Sequence, residues 1–251
     1  MSGGEVLISF RGVRKRFGAQ QVLDGVDLDV RRGETLVIIG RSGCGKSVLL
    51  KHMIGLIRPD EGQILLEGRD ITGLPEGDMA EVRGRFGMVF QGAALFDSMS
   101  VGENVAFPLR EHRRLKDREI KRIVAAKLQL VDLEGVEHLF PSELSGGMRK
   151  RVGLARAIVL DPKIILYDEP TTGLDPITAN SVDEMIMSAK TRLGVTSVVI
   201  THDIASSFRI GDWIAMIHEG VIVEQGPPKA LRESAHPFVH KFLQTWFDKG
   251  D

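Results

Sequence analysis

This sequence lacks most of the features that mark secreted, membrane-spanning or nucleic-acid-binding chains. Its single cysteine excludes an intrachain disulfide and any metal site built from several cysteines, and it fits a reducing, cytoplasmic compartment. The 33 basic and 34 acidic residues give a net charge of −1, so no global basic field favours a nucleic-acid partner. No apolar run approaches the roughly 20 residues needed to cross a bilayer, and Met1–Glu5 lacks the basic and apolar blocks of a signal peptide. We therefore expect that any work at a membrane proceeds from one side and through a partner.

The composition is that of a folded α/β protein. The 251 residues are 43% hydrophobic and 27% charged, which supplies a sizeable core and argues against disorder. This length suits one large domain or two small ones. No internal repeat or low-complexity tract interrupts the chain.

A phosphate-loop motif is the most informative stretch of the chain. Residues Gly40–Ser47 read GRSGCGKS and match the pattern G-x-x-x-x-G-K-[ST] at every fixed position. An apolar run, Thr35–Ile39, precedes the motif as a predicted strand, and Val48–Ile54 follows it as a predicted helix. Glycines let the backbone curl around a phosphate, and the backbone N–H groups at the helix N-terminus then face the anion. Lys46 supplies a charge for the β- and γ-phosphates, and the Ser47 hydroxyl is a ligand for Mg²⁺.

The order of predicted elements indicates a mostly parallel sheet covered by helices. Short alternating segments come first, as expected for half-buried antiparallel strands, and a helical stretch at about 93–139 looks like an insertion into a nucleotide-binding core. The predicted strands are Val6–Phe10, Val26–Val30, Gln63–Leu66, Phe86–Phe90, Ile164–Tyr167, Ser197–Thr201, Trp213–Ile217 and Gly220–Gly226. The predicted helices are Lys116–Val131, Gly147–Leu160, Thr178–Arg192, Ile204–Ile210 and Ala235–Phe247.

Two carboxylates end the apolar strand that begins at Ile164. Ligands of such sheets bind at the carboxyl ends of the strands. Asp168 is therefore placed to hold Mg²⁺, and Glu169 to polarise the water that attacks the γ-phosphate. Taken alone, the pair could equally be a solvated turn before Pro170. The phosphate loop in the same chain favours the catalytic interpretation.

A second anion-binding device follows in the same chain. Ser145-Gly146-Gly147 precedes a helix, and the N–H groups of a helix N-terminus bind anions. One nucleotide does not need two such devices from one chain, which indicates a homodimer in which each copy caps the nucleotide of the other. Thr172–Asp175 follows the carboxylates, and His202 follows the next predicted strand.

Together these residues resemble the ATPase subunit of ABC transporters over nearly the whole chain. The resemblance implies a P-loop NTPase core with a mostly parallel sheet, an N-terminal antiparallel β subdomain and a helical insertion subdomain. It implies core residues at 1–92 and 161–234, a helical and signature subdomain at 93–160, and a C-terminal helix at 235–251. In chain order the motifs are similar to the Walker A loop (Gly40–Ser47), the Q-loop (Gln91), the signature (Ser145–Met148), Walker B (Ile164–Asp168), the catalytic Glu169, the D-loop (Gly173–Asp175) and the switch His202.

The resemblance also implies the ligands and the role of each site residue. The cofactors are ATP and Mg²⁺, and the implied catalytic residues are Glu169, His202 and Gln91. The residues implied to bind Mg²⁺ are Ser47, Gln91 and Asp168. The residues implied to bind ATP are Phe17, Gly40, Arg41, Ser42, Gly43, Cys44, Gly45, Lys46, Ser47, Gln91, Ser145, Gly146, Gly147, Asp175 and His202. Phe17 would stack on adenine where many relatives carry Tyr; the alternative is an ordinary core aromatic.

Within this family the chain looks like the Mla/Mce class of lipid-transport ATPases. The segments that carry this likeness are Phe90–Phe96, Val105–His112 and Pro141–Met148, with Met148 where Gln is commonest in the signature. The class implies ATP-driven phospholipid transport from the cytoplasmic face of the inner membrane. It implies a second copy of the chain, a permease of the MlaE type, an MCE-domain protein of the MlaD type and a small STAS-domain partner, and no nucleic acid.

Several alternatives stay open from the sequence. The chain could serve an importer of solutes such as amino acids, or a soluble ABC protein acting on ribosomes or DNA, although those usually carry tandem ATPase domains or a long coiled-coil insertion. The aromatic C-terminal helix, with Phe238, Phe242, Leu243, Trp246 and Phe247, could dock on its own domain or reach a second subunit. A helix N-terminus lowers the pKa of a nearby thiol, so we expect Cys44 to be either reactive or a small residue that the turn tolerates.

Overall fold

The computed structural model describes residues 4–247, with side chains as far as Thr245. The strands are β1 (Val6–Phe17), β2 (Gln20–Arg31), β3 (Thr35–Ile39), β4 (Glu61–Leu66), β5 (Arg69–Asp70), β6 (Phe86–Val89), β7 (Ile164–Asp168), β8 (Thr196–Thr201), β9 (Trp213–His218) and β10 (Val221–Gly226). The helices are α1 (Lys46–Met53), α2 (Glu76–Arg83), α3 (Val101–His112), α4 (Asp117–Leu130), α5 (Gly146–Ala157), α6 (Pro176–Leu193), α7 (Ile204–Ile210), α8 (Pro228–Arg232) and α9 (Pro237–Phe247). The chain forms two compact units, one comprising the residues up to Arg83 with those from Thr196 onward, the other Gly84–Val195.

An antiparallel sheet in the first unit has the strand order β2-β1-β4-β5. The predicted antiparallel strands are confirmed, but β1 and β2 each extend to 12 residues. The halves of both strands next to the turn, residues 11–17 and 20–25, are rich in polar residues and include the cross-strand ion pair of Arg14 with Asp24. The apolar pattern therefore identified the half of this hairpin far from the turn and missed the half next to it, although Val13 and Leu23 are buried there.

The second sheet of this unit contains β10, β9, β3 and β8 in that order. Both β8 and β9 run parallel to β3, while β10 is antiparallel to β9. Every residue of β3 and β8 is buried, as expected for parallel strands covered on both faces. Ile39 at the end of β3 is in register with Thr201 at the end of β8. The residues that follow these two strands therefore emerge at the same edge.

The C-terminal helix α9 docks on its own unit. Val239 and Leu243 are buried, and the Phe238 ring stacks on His218 at 3.6 Å between centroids. The helix begins at Pro237 rather than at the predicted Ala235, because proline suits the first helical position. These contacts favour the first of the two alternatives for this helix; the side chains of Trp246 and Phe247 lie outside the described part of the chain.

The second unit combines the parallel pair β6 and β7 with helices α3 to α6. On α4 one face buries Ile120, Val124 and Leu128, as the sequence periodicity predicts. α3, which the sequence did not resolve, begins at a capping box of Ser100 and Glu103. The α/β fold, with its antiparallel and mostly parallel sheets, is confirmed.

The two compact units do not coincide with the predicted domain division. Strands β6 and β7 and helix α6 belong to the same compact unit as the helical segment. The predicted division instead assigns them to the nucleotide-binding core and only residues 93–160 to the helical subdomain. That division remains a prediction. Between residues 4 and 247, the structure contains no helix both long and apolar enough to span a membrane.

Candidate functional site

Two glycines of the phosphate loop sit where another residue could not fit. The loop runs from Gly40, after β3, to Gly45, which precedes α1 with φ of 107°. A Cβ added to Gly45 would lie 2.9 Å from Leu23 Cδ2 and 3.0 Å from the Val22 carbonyl oxygen. A Cβ on Gly40 would lie 2.4 Å from the Ile217 carbonyl oxygen. Backbone conformation and close approach together require glycine at both positions.

Lys46 carries its charge inside this loop. Its side chain is buried, and its ammonium donates to the carbonyl oxygens of Gly40 at 2.8 Å and Arg41 at 3.1 Å. The first turn of α1 contains no acidic residue, and no side chain caps its N-terminus. The Ser47 hydroxyl is exposed in the same turn. A positive helix end, an ammonium and a hydroxyl therefore converge where the sequence predicts a phosphate.

Of the two alternatives for Cys44, the structure favours the unreactive one. The thiol is partly buried in the loop, and burial raises its pKa. The nearby Lys46 lowers the pKa of the thiol, but this effect is smaller than that of burial. These features favour a small residue that the turn accommodates over an activated nucleophile, and the low reactivity of Cys44 stays a prediction.

Phe17 ends β1 in an exposed position. The ring is 47% exposed, and the Lys15 ammonium lies 5.6 Å from its centroid. The alternative that Phe17 is an ordinary core aromatic is therefore wrong. An exposed ring face beside a cation is chemically suited to stacking on a purine, and that role stays a prediction.

His202 emerges at the same sheet edge as the phosphate loop. It follows β8, and Asp203 behind it caps α7 by accepting from the Ser206 N–H at 3.0 Å. A cleft of about 470 Å³ opens beside it and is lined by cationic and aromatic side chains, namely Arg41, His218, Phe238, Lys241 and Phe242. Within the first unit the structure thus brings His202 and the loop residue Arg41 to one cleft.

Gln91 and the two carboxylates share an edge in the second unit. Val89 at the end of β6 is in register with Tyr167 in β7, so the residues that follow the two strands emerge together. Asp168 ends β7, and Glu169 adopts the left-handed conformation with φ of 48°. The Thr172 hydroxyl donates to Glu169 Oε2 at 2.9 Å. Thr172 thus orients one carboxylate oxygen of Glu169.

The signature serine is an exposed helix cap. Ser145 precedes α5, and its hydroxyl accepts from the Met148 N–H at 3.2 Å. A Cβ on Gly147 would lie 3.2 Å from Thr178 Cγ2 of α6, so glycine permits close packing of the two helices. The first turn of α5 contains no acidic residue. Gly146 lies in this same turn, which leaves a second helix N-terminus suited to an anion.

Asp175 has a structural task that the sequence interpretation did not include. Its carboxylate caps α6 by accepting from the N–H groups of Ile177 at 3.0 Å and Thr178 at 3.1 Å. The Thr178 hydroxyl also donates to it, and these hydrogen bonds lower the pKa of Asp175. A contact with nucleotide remains a prediction for this residue.

The sequence interpretation missed three polar residues around the segment that follows Gln91, two of them buried and the third, Arg156, half-buried. Asn104 donates to the carbonyl oxygens of Phe96, Met99 and Ser100. Lys150 and Arg156 of α5 donate to carbonyls of Gln91 and its neighbours. The available signal was a charged residue on a helix face that is otherwise apolar, since Lys150 is four residues before the buried Leu154.

Comparison with known proteins identifies the family. Residues 23–172 match the model of the ABC transporter family. A probable ribonucleotide transport ATP-binding protein, Mkl of Mycobacterium leprae, is 46% identical over 95% of this chain and 69% of its own length. The intermembrane phospholipid transport system ATP-binding protein MlaF of Haemophilus influenzae is 41% identical over 95% of this chain and 90% of its own. Trigalactosyldiacylglycerol 3 of Arabidopsis thaliana is 42% identical over 97% of this chain and 75% of its own.

Solved structures agree with this family. The ATP-binding cassette MJ0796, described as a dimer in a post-hydrolysis state bound to ADP and Pi, superposes with a TM-score of 0.79, 29% identity and coverage of 88% of this chain and 99% of its own. CbiO1 of Clostridium perfringens, part of the ABC transporter complex CbiONQ, superposes with a TM-score of 0.84, 27% identity and coverage of 96% and 99%. This chain therefore belongs to the ATP-binding subunits of the ABC transporter family and is an ATPase.

Proposed function

We propose that this chain powers phospholipid transport as a homodimer, bound to a separate permease at the cytoplasmic face of the inner membrane. The cargo assignment rests on the likeness to the MlaF proteins of H. influenzae and Escherichia coli, whose lengths the chain spans to 90% and 88%. The plant relative, which carries a diacylglycerol glycolipid in its name, supports the same cargo class. By analogy with the phospholipid system, the partners are a permease of the MlaE type, an MCE-domain protein of the MlaD type and a small STAS-domain protein.

Ribonucleotide transport is the second candidate. It comes from the name of the mycobacterial relative, which is 46% identical. The chain spans 69% of that protein, against 90% of the H. influenzae MlaF. Because the chain covers more of the length of the MlaF protein than of the mycobacterial protein, we favour phospholipid as the cargo.

The geometry of the phosphate loop is the main observation that supports nucleotide binding. Lys46 holds an ammonium among the loop carbonyls, beside an uncapped helix N-terminus. We assign the β- and γ-phosphates of ATP to this loop, with Lys46 as the charge and the loop N–H groups as donors. Phe17 stacks on the adenine, and its exposed ring face supports this assignment.

The donor set fits Mg²⁺. The Ser47 hydroxyl, the Asp168 carboxylate and the Gln91 side-chain carbonyl are hard oxygen donors, which Mg²⁺ prefers. In the described part of the chain no three His, Cys, Asp or Glu side chains cluster as a metal cage, and Mg²⁺ bound with nucleotide takes only one or two protein ligands beside phosphate and water. When bound, the ion neutralises charge on the β- and γ-phosphates.

Hydrolysis requires one positioned water and stabilisation of charge on the γ-phosphate. Glu169 accepts a proton from the attacking water, and the hydrogen bond from Thr172 fixes one oxygen of its carboxylate. Gln91 and His202 orient the water and contact the γ-phosphate. In the homodimer, Ser145 and Gly147 of the opposite copy complete the shell around that phosphate, an arrangement supported by their position at the exposed start of α5.

ATP turnover by the purified chain tests these roles. Glu169→Gln keeps ATP binding and lowers the turnover rate by about two orders of magnitude or more, since a general base contributes about that much. Lys46→Ala weakens ATP binding itself, because a charge-assisted phosphate contact is lost. Near-normal hydrolysis by Glu169→Gln, or unchanged ATP affinity in Lys46→Ala, would remove the corresponding role.

The partners are tested by purifying the tagged chain from detergent-solubilised native membranes and identifying what accompanies it by mass spectrometry. A polytopic permease with an MCE-domain protein supports phospholipid transport. A permease with a solute-binding protein would overturn the cargo assignment and keep the ATPase. Ribosomal or DNA-repair proteins without a permease would overturn transport altogether.

A further inference from the structure

Two long cations of α5 hold the segment that begins at Gln91. The Lys150 side chain is buried, with 5% of its surface exposed, and its ammonium donates to the backbone carbonyl of Gln91. Arg156, six residues later on the helix, donates to the carbonyls of Ala93 and Ala94, each at 2.8 Å. Three carbonyls within four residues are thus fixed by side chains of one helix.

The backbone at this point is strained and needs such support. Ala93 and Ala94 both adopt the left-handed conformation, with φ of 61° and 48°. A residue other than glycine in the left-handed conformation costs about 1–2 kcal/mol. Such conformations persist only where the surrounding structure fixes them. Gly153 lies between the two cations on α5, and a Cβ there would come within 3.3 Å of Ala93 Cβ. The helix therefore holds this segment by polar contacts and by close packing at once.

A buried ammonium at position 150 is energetically unfavourable on its own. Burial lowers the pKa of Lys150, and the negative charge of Asp168 raises it in part. Methionine would fill a similar volume without desolvating a charge. The hydrogen bond to Gln91 and the charge of Asp168, rather than packing, are therefore the physical reasons for a lysine at this position.

We propose that Lys150 is a positioning residue that fixes the peptide of Gln91 relative to Ser145, the cap of the same helix. Only about 7 Å of helix separates Ser145 from Lys150, at 1.5 Å per residue. The γ-phosphate sensor and the signature turn then move as one body, so a displacement of either reorients the other. The inference rests on the proposed roles of Gln91 and Ser145, and it assigns to Lys150 a task that the family motifs leave unassigned.

Steady-state ATP hydrolysis by the full chain tests the proposal with Lys150→Met, Lys150→Arg and a matched control. The control is Lys127→Met, which removes another largely covered lysine, one that pairs with Asp161 on the surface. We expect Lys150→Met to lower kcat by about tenfold or more, since sub-ångström misplacement of a positioned group carries penalties of that size. The affinity for a fluorescent ATP analogue stays within about twofold, because phosphate binding at the loop is untouched. Lys150→Arg, which keeps a donor, recovers most of kcat, and Lys127→Met retains it.

A second variant covers the case in which Lys150→Met fails to fold. Gly153→Ala introduces no charge and improves helix propensity by about 1 kcal/mol, but its Cβ pushes against Ala93. We expect an unchanged or higher Tm together with a lower kcat. A merely structural role for the contact would instead change Tm and kcat together.

The outcomes separate this inference from the proposed function. Lys150→Met with wild-type kcat, or Lys150→Arg as impaired as Lys150→Met, would overturn the inference, as would an unaltered kcat in Gly153→Ala. If Glu169→Gln hydrolyses ATP as fast as the wild type, the catalytic assignment itself fails. If ATP hydrolysis requires Glu169 but not Lys150, the proposed function stands and only the inference about Lys150 is removed.

Discussion

His52 makes the stability of the first unit depend on pH in a way that one substitution isolates. The side chain is 1% exposed on α1, the helix that follows the phosphate loop. Its Nδ1 lies 2.7 Å from the Val48 carbonyl oxygen, which can only accept, so Nδ1 carries the proton. Among the described residues none hydrogen-bonds its buried Nε2. Protonation would thus place a buried charge with an unpartnered donor.

The sign of the effect follows from the depressed pKa. Burial lowers the pKa of His52 below its ordinary 6.5, while the hydrogen bond to Val48 raises it by a smaller amount. The folded protein therefore holds neutral His52 at pH values where the unfolded chain already binds a proton. Stability from this group is fully present above pH 6.5 and is lost as the pH falls below it.

The size of the loss can be worked out from linkage. For an unfolded histidine with a pKa of about 6.5, the combined weight of the protonated and neutral forms, relative to the neutral form alone, rises about tenfold from pH 7.5 to pH 5.5. If His52 stays neutral in the fold, this proton binding stabilises the unfolded state by about 1.4 kcal/mol. For a chain of this size, about 1 kcal/mol shifts Tm by roughly 2–4 °C. We therefore expect at most about 3–6 °C of the fall in Tm between these pH values to come from His52.

Thermal unfolding of the wild type, His52→Gln and His240→Gln at both pH values measures this contribution. The fall in Tm is taken within each variant, so any constant effect of the substitution cancels. On acidification, the Tm of His52→Gln should fall less than that of the wild type, by a difference of at most about 3–6 °C. His240→Gln removes an exposed histidine of α9 and should behave as the wild type. An equal fall in the wild type and His52→Gln would exclude His52 as a source of this pH dependence.

Three further predictions concern the candidate site. Asp175→Ala lowers the free energy of unfolding through loss of a helix cap, measured by urea denaturation, whereas Asp175→Asn keeps most of the wild-type stability; equal losses would argue against capping. Cys44 reacts with maleimide at pH 7 more slowly than an unshielded thiol because burial raises its pKa, and a rate above that of free glutathione would contradict this. Gly45→Ala weakens ATP binding more than Gly43→Ala, since its Cβ meets Leu23 and Val22 whereas Gly43 has no heavy atom within 4 Å of its Cβ; calorimetric affinities of equal size would exclude this steric cause.

The sequence predicted the elements whose pattern is set by burial. β3 and α7 match their predicted bounds because a buried apolar run and an Asp203 cap mark them unambiguously. The short helices α2 and α8 were missed, since each has few buried residues and no strong apolar period. The halves of β1 and β2 next to their turn were missed because polar residues such as Arg14 and Asp24 outnumber the buried Val13 and Leu23 there.

The residues proposed to contact the ligand were easier to find in the sequence than the residues that hold them in place. Motifs such as Gly40–Ser47 depend on residues that contact a ligand directly and lie close together in the chain. Lys150 acts on Gln91 across 59 positions of sequence, a separation that no local pattern encodes. The sequence left the reactivity of Cys44 open for the same reason, because the atoms that bury the thiol and raise its pKa come from the folded loop and its surroundings rather than from its neighbours in sequence.

Transport by the reconstituted complex is the most direct test of the proposed cargo. The chain is purified with its permease, placed in liposomes containing a fluorescent phospholipid, and supplied with ATP and Mg²⁺. We expect ATP-dependent movement of the phospholipid that Glu169→Gln abolishes. ATP-dependent movement of a ribonucleotide or an amino acid, with no movement of phospholipid, would contradict it.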